Sequence, residues 1–64
     1  MQYETDRRKI VAHLLKDGWK DIGGGKHDRF VKVGYDMVVL PRHTTISLPV
    51  ARSITKIAGW KGKD

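Results

Sequence analysis

The stretch Arg29-Phe30-Val31-Lys32-Val33-Gly34-Tyr35-Asp36-Met37-Val38-Val39-Leu40-Pro41 decides the fold. β-Branched and aromatic residues crowd both of its ends, and Gly34-Tyr35-Asp36 between them has turn chemistry. The segment therefore reads as two antiparallel strands, Arg29 to Val33 and Met37 to Leu40. Met37 to Leu40 is apolar at consecutive positions, which marks either a central strand or one whose second face meets another chain. On the N-terminal side, Trp19-Lys20-Asp21-Ile22 alternates as a third short strand, joined to the hairpin through Gly23-Gly24-Gly25.

Outside this sheet the period becomes helical. From Thr5 to Asp17, Ile10, Val11, Leu14 and Leu15 recur on one helical face. Thr5 is the expected N-cap, with Asp6 in the first turn, Lys16 in the last and Gly18 as the terminator. Arg7, Arg8, Lys9 and Lys16 are expected mostly on the outward side. After a loop from Arg42 to Ile46, Ser47 reads as an N-cap and Pro49 as a first-turn residue. Val50, Ile54, Ile57 and Ala58 form the apolar stripe, and Gly59 closes the helix. The order is α-β-β-β-α, an α+β fold with two helices on one face of a three-stranded antiparallel sheet.

The chain has 64 residues, no cysteine and three histidines. It reads as one domain, residues 1–64, with Lys61 to Asp64 as a frayed tail. A domain this small removes only about 60% of its unfolded surface from water, so packing must hold it without disulfides. Thirteen Lys and Arg against seven Asp and Glu leave a net charge of +6. The excess rises from +1 over residues 1–18, through +2 over 19–43, to +3 over 44–64. Such a balance points to a polyanionic partner, either nucleic acid or an anionic membrane surface. No apolar run approaches a membrane span and the N-terminal residues lack the pattern of a signal peptide, so a cytoplasmic protein is expected.

The chemistry concentrates around Gly23-Gly24-Gly25-Lys26-His27. The run does not match the pattern of a phosphate-binding P-loop, because Ser or Thr and then a helix follow the Lys of that loop, whereas His27 and a strand follow here. The run is either a plain hairpin loop with solvated Lys26 and His27, or a loop that lets backbone approach a phosphate closely. In the second case His27, flanked by Lys26 and Arg29, has the residue types for phosphodiester chemistry. Histidine exchanges protons near neutral pH, RNA supplies its own 2′-hydroxyl nucleophile, and cationic side chains stabilise charge on the phosphoryl oxygens. His43, after Pro41-Arg42, is either a second proton-transfer group or a cap on the strand end. His13 on the first helix is structural or merely exposed. No metal-ligand spacing links the histidines to Asp28 or Asp36, and no cofactor is expected. Trp19 and Trp60 are expected to close the core, leaving Tyr35 as the solvent-facing aromatic.

Taken in order, Leu-Leu-Lys-Asp-Gly-Trp (14–19), Gly-Gly-Gly-Lys-His-Asp-Arg-Phe (23–30), Val-Val-Leu-Pro-Arg-His (38–43) and Val-Ala-Arg-Ser-Ile-Thr-Lys-Ile-Ala-Gly-Trp (50–60) resemble the HicA, or YcfA-like, toxin family. The resemblance covers about residues 8–60. It implies a fold like a double-stranded-RNA-binding domain and a ribosome-independent mRNA interferase of a type II toxin–antitoxin pair, neutralised by a HicB antitoxin that covers the active site. The family's Gly-Ser-His-His-x-Phe motif puts the catalytic histidine on His27, with Gly25 before Lys26 and with Phe30 closing the motif. Lys26 stands where Ser is usual and Asp28 where a second His is common. Asp28 either orients the His27 ring or weakens the local positive field, and its adjacency to His27 on a strand makes a solvent-facing side chain the expected placement.

Two functions of different class follow. One is an endoribonuclease with His27 as general base or acid and with Gly25, Lys26, Arg29, Lys32, Arg42 and Lys56 on the RNA. The other is a noncatalytic RNA-binding module in which Lys26, Lys32, Arg42 and Lys56 contact phosphates. A third role, as a partner-binding subunit, would use Met37 to Leu40 or the basic face against an acidic protein.

Overall fold

The computed structural model describes residues 3–23 and 25–60; the tail expected at Lys61 to Asp64 lies outside them. The order is α1 (Arg7–Lys16), β1 (Lys20–Asp21), β2 (His27–Val31), β3 (Val38–Pro41) and α2 (Leu48–Ala58). The three strands form one antiparallel sheet in the order β1-β2-β3. Met37 to Leu40, read as a possible central strand, is therefore an edge strand shifted by one residue.

The core fixes which side of the sheet the helices cover. Ile10 and Leu14 of α1 and Ala51, Ile54 and Ala58 of α2 are buried in one cluster with Trp19, Phe30, Val38, Leu40 and Ile46. Phe30 pairs with Val38, and Leu40 pairs with Asp28. Paired residues share a face and neighbours along a strand alternate, so Asp28, Phe30, Val38 and Leu40 point toward the helices. Both helices thus pack on one side. The α2 stripe is rotated from the expected one: Ala51 and Thr55 are buried while Val50 and Ile57 are only partly so. The Thr55 hydroxyl makes this tolerable by donating to the Ala51 carbonyl at 2.9 Å.

Both helices end in the same device. The Gly18 and Trp19 amides donate to the Leu15 and Leu14 carbonyls, and those of Gly59 and Trp60 donate to Lys56 and Thr55. Each is a Schellman closure, with its glycine at positive φ (92° and 73°) and an apolar residue next. The two indole Nε1 groups that follow both donate to the Asp17 carboxylate, each at 3.1 Å. Lys32 adds an ion pair at 3.4 Å. These bonds, the Trp60 indole first, hold the Asp17 carboxyl below its ordinary value. His13 stacks on Trp60 with centroids 3.7 Å apart and 7° between planes. Both tryptophans thus close this end, Trp19 fully buried and Trp60 in part.

The helix starts differ from expectation. Asp6, not Thr5, caps α1, its carboxylate accepting from the Arg8 amide at 2.9 Å. The Thr5 backbone is used otherwise. Its carbonyl accepts from the Ile46 amide at 2.7 Å, while Asp6 bridges Thr45, so the chain before α1 is sewn to the loop before α2. Ser47 occupies the α2 cap position with no side-chain bond to the helix.

Candidate nucleic-acid interface

The face of the sheet opposite the helices carries His27, Arg29 and Val31 of β2, with Lys20, Val39 and Pro41 as their cross-strand partners. No described element covers it. Lys20, His27 and Arg29 are exposed, and Val39 keeps 41% of its surface in contact with water. Two basic side chains and an imidazole around a small apolar patch form a surface that can carry a polyanion and pack an apolar group.

His27 is the first residue of β2, two positions earlier than the strand expected from Arg29. The extension is set by pairing, since His27 stands opposite Pro41 and Asp28 opposite Leu40. His27 is therefore anchored to a sheet rather than carried on a loop tip. The loop before it turns sharply, with Gly25 at φ +57° and open space where its Cβ would be. The positive φ, not crowding, requires glycine there. The Asp21 carboxylate steadies the loop's other side by accepting from the Gly23 amide at 2.7 Å. Lys26 is exposed between this turn and the strand.

Asp28 does not face solvent as expected. Being two residues before Phe30, it shares the core-facing parity, and only 15% of its side chain is exposed. One carboxylate oxygen accepts from Arg7, and the other accepts from Arg42 at 3.2 Å. Arg7 also donates through Nε to the Pro41 carbonyl at 3.1 Å, so the expectation of an outward Arg7 fails as well. The physical reason is helical spacing: Arg7, Ile10 and Leu14 lie at i, i+3 and i+7, one stripe of α1. A carboxylate on the inward face of β2 gives that arginine a partner at the core's rim.

The expected contact residues divide into two groups. Gly25, Lys26, His27 and Arg29 lie together at the start of β2 and on the open face. Arg42, 54% exposed, follows β3 at the same end of the sheet but is turned to the helix side by Asp28. His43 comes next and is exposed. Lys32 lies elsewhere, with its ammonium on Asp17 and 5.0 Å from the centre of the Tyr35 ring. Lys56 is exposed in the last turn of α2, in the helix layer across the sheet from His27. Tyr35 is exposed in the turn between β2 and β3, as expected, although its ring also meets Trp19.

Among the described residues no group of three or more His, Cys, Asp or Glu side chains converges, and no helix is long and apolar enough to cross a membrane. Comparison of the chain with protein-family models, curated proteins and solved structures gave no match.

Proposed function

We propose that this chain is an endoribonuclease toxin of the HicA kind, with a fold like a double-stranded-RNA-binding domain, acting on mRNA in the cytoplasm and restrained by a HicB-like antitoxin. The observation that carries the reading is the placement of His27: exposed on a sheet face that no described element covers, fixed by strand pairing, and flanked by Lys26 and Arg29. A histidine there lies outside the buried core cluster.

In the proposed reaction the His27 imidazole accepts the proton of a ribose 2′-hydroxyl. The 2′-oxygen then attacks the adjacent phosphorus, the bond to the 5′-oxygen breaks, and a 2′,3′-cyclic phosphate remains on one fragment. The leaving 5′-oxygen takes a proton from solvent or from a general acid. Lys26 and Arg29 stabilise the negative charge that builds on the phosphoryl oxygens. The nucleophile belongs to the substrate, so a chain this small needs to supply only positioning, charge and a proton acceptor.

The competing reading is a noncatalytic RNA-binding module. It is favoured by Asp28, which stands where the family commonly has a second histidine and is engaged in structural ion pairs instead. Expression of the unaltered chain and of His27→Ala in a bacterial host separates the two. The nuclease reading expects growth arrest and transcript fragmentation from the first and neither from the second. Equal toxicity with equal cleavage removes His27 from the chemistry, and RNA binding without cleavage by the unaltered chain establishes the binding module.

A further inference from the structure

At the end of β3, on the helix side of the sheet, an open depression of about 460 Å³ is lined by Arg7, Arg8, Asp28, Arg42 and Thr44. Three of these five side chains are guanidinium groups and one is a carboxylate. The carboxylate is already committed, because its two oxygens accept from two different arginines. A guanidinium carries five N–H donors, so Arg7 and Arg42 keep donors after their bonds to Asp28 and to the Pro41 carbonyl. Asp28 thus leaves the cluster positive while holding two guanidinium forks side by side. Arg8, exposed at the rim, adds a third cation.

Such a cluster has the chemistry of a phosphate site. The guanidinium fork matches phosphate oxygens in pairs, and forks already held in place lose less freedom on binding. Its location adds a second argument. Pro41 is the cross-strand partner of His27 and Arg42 follows Pro41, so the Cα atoms of Arg42 and His27 lie within about 9 Å. β3 is the edge of the sheet, and the depression is reached from His27 by passing around that edge.

We propose that the Arg7–Arg8–Arg42 cluster is a subsite for the phosphodiester backbone of an RNA strand, gripping the strand where it leaves the His27 face around the β3 edge. The proposal rests on the RNA-cleaving reading of that face and extends it to residues on the opposite side of the sheet. A phosphate backbone is preferred to an acidic protein as the occupant because the cluster lies around the β3 edge from His27, where a strand engaged on that face continues.

The test uses the full chain carrying His27→Ala, so that RNA is bound and not cut, and titrates a fluorescent single-stranded RNA oligonucleotide over a series of salt concentrations. Adding Arg8→Gln and Arg42→Gln is expected to raise Kd about tenfold and to lower the slope of log K against log salt by about 1.4, at about 0.7 per lost phosphate contact. Lys9→Gln with Arg52→Gln removes the same charge from exposed helix positions outside the depression and is expected to change Kd less than about threefold. Equal losses in the two double variants would reduce the effect to net charge and overturn the proposal. Unchanged RNA affinity, accompanied by weaker binding of poly-glutamate, would make the cluster a carboxylate site and overturn it too. Circular dichroism checks that the variants are folded; if the double variant is not, Arg8→Gln alone must still lower the slope by about 0.7, and no change rejects the subsite. Failure of the His27→Ala chain to bind RNA at all overturns the RNA reading and the subsite together, whereas binding that survives Arg8→Gln/Arg42→Gln intact overturns the subsite alone.

Discussion

Neighbouring residues of β2 live in opposite surroundings. Phe30 and Asp28 face the helices, one sealed in the core and the other holding two arginines, while His27 and Arg29 face outward with no described element above them. The difference shows how a five-residue strand serves two purposes. Positions of one parity are constrained by packing and charge pairing, so changing them costs stability. Positions of the other parity are free of that demand, and residues there can be kept for what they touch outside the molecule.

The most severe way to break this contrast is to truncate one residue of each kind. Phe30→Ala removes a fully buried ring and is expected to cost about 3–5 kcal/mol, as much as the core of a domain this small supplies. That variant should lose its far-ultraviolet circular dichroism signature. His27→Ala should keep its urea midpoint, with a change in stability within about 0.5 kcal/mol. Loss of the fold in His27→Ala would show that the outward face is structural after all, and the division by parity would fall.

Asp28 sharpens the contrast from the helix side. Asp28→Asn leaves Arg7 and Arg42 together without the anion that joins them, at a rim that is only partly open to water. The expected loss is about 1–3 kcal/mol in urea unfolding. A loss below about 0.5 kcal/mol would put this cluster with ordinary surface ion pairs, and Asp28 would not be what holds Arg42 in place.

Most of the architecture was legible from the chain because it depends on local periodicity. Ile10 and Leu14 repeat at helical spacing, Phe30, Val38 and Leu40 sit on strands bounded by turn residues, and Gly18 and Gly59 stop the helices as expected. His27 stood out as well, since a histidine beside a glycine run needs no tertiary information to be noticed. The environment of Asp28 was not legible. It depends on where β2 begins, which is set by pairing with Pro41 and Leu40 across the sheet, and on Arg7 sharing the stripe of Ile10 and Leu14. Both signals were present in the spacing. Charged side chains on a core-facing parity gain a partner only once the helix is docked, and no local pattern shows that docking.

A smaller effect compares the two carboxylates that join elements of the core face. Asp17 draws on two neutral indoles and one ammonium where Asp28 draws on two guanidiniums, and 34% of its side chain is exposed. Its carboxyl binds a proton less readily in the folded chain than in the unfolded one. Its contribution to stability is therefore complete above the usual carboxylate range and drains away as pH falls through the lowered value. Asp17→Asn should flatten the acid limb of stability against pH, measured by urea unfolding from neutral to strongly acidic buffer. An unchanged acid limb would place the acid sensitivity at other carboxylates.

The smallest test concerns the helices that cover the sheet, which begin in unlike ways. Asp6 accepts from the Arg8 amide, satisfying one of the donors that a helix start leaves open, and its carboxylate also suits the positive end of the helix dipole. Ser47 sits at the equivalent position of α2 without a side-chain bond, and Pro49 has no amide hydrogen to satisfy in that first turn. Asp6→Ala is expected to cost about 1 kcal/mol and Ser47→Ala only about 0.3 kcal/mol. The ratio matters more than either value. Asp6 lies between the two backbone bonds that join this segment to the 44–46 loop, from the Arg7 amide to the Thr44 carbonyl and from the Ile46 amide to the Thr5 carbonyl, and Asp6→Ala leaves both groups in place. A loss well above that of an ordinary cap would therefore show that the cap holds that stitch in register, beside the arginine cluster that Thr44 helps to line. Stability and the geometry of that cluster would then be coupled through one short segment of backbone, and Asp6→Ala would weaken RNA binding without removing any positive charge.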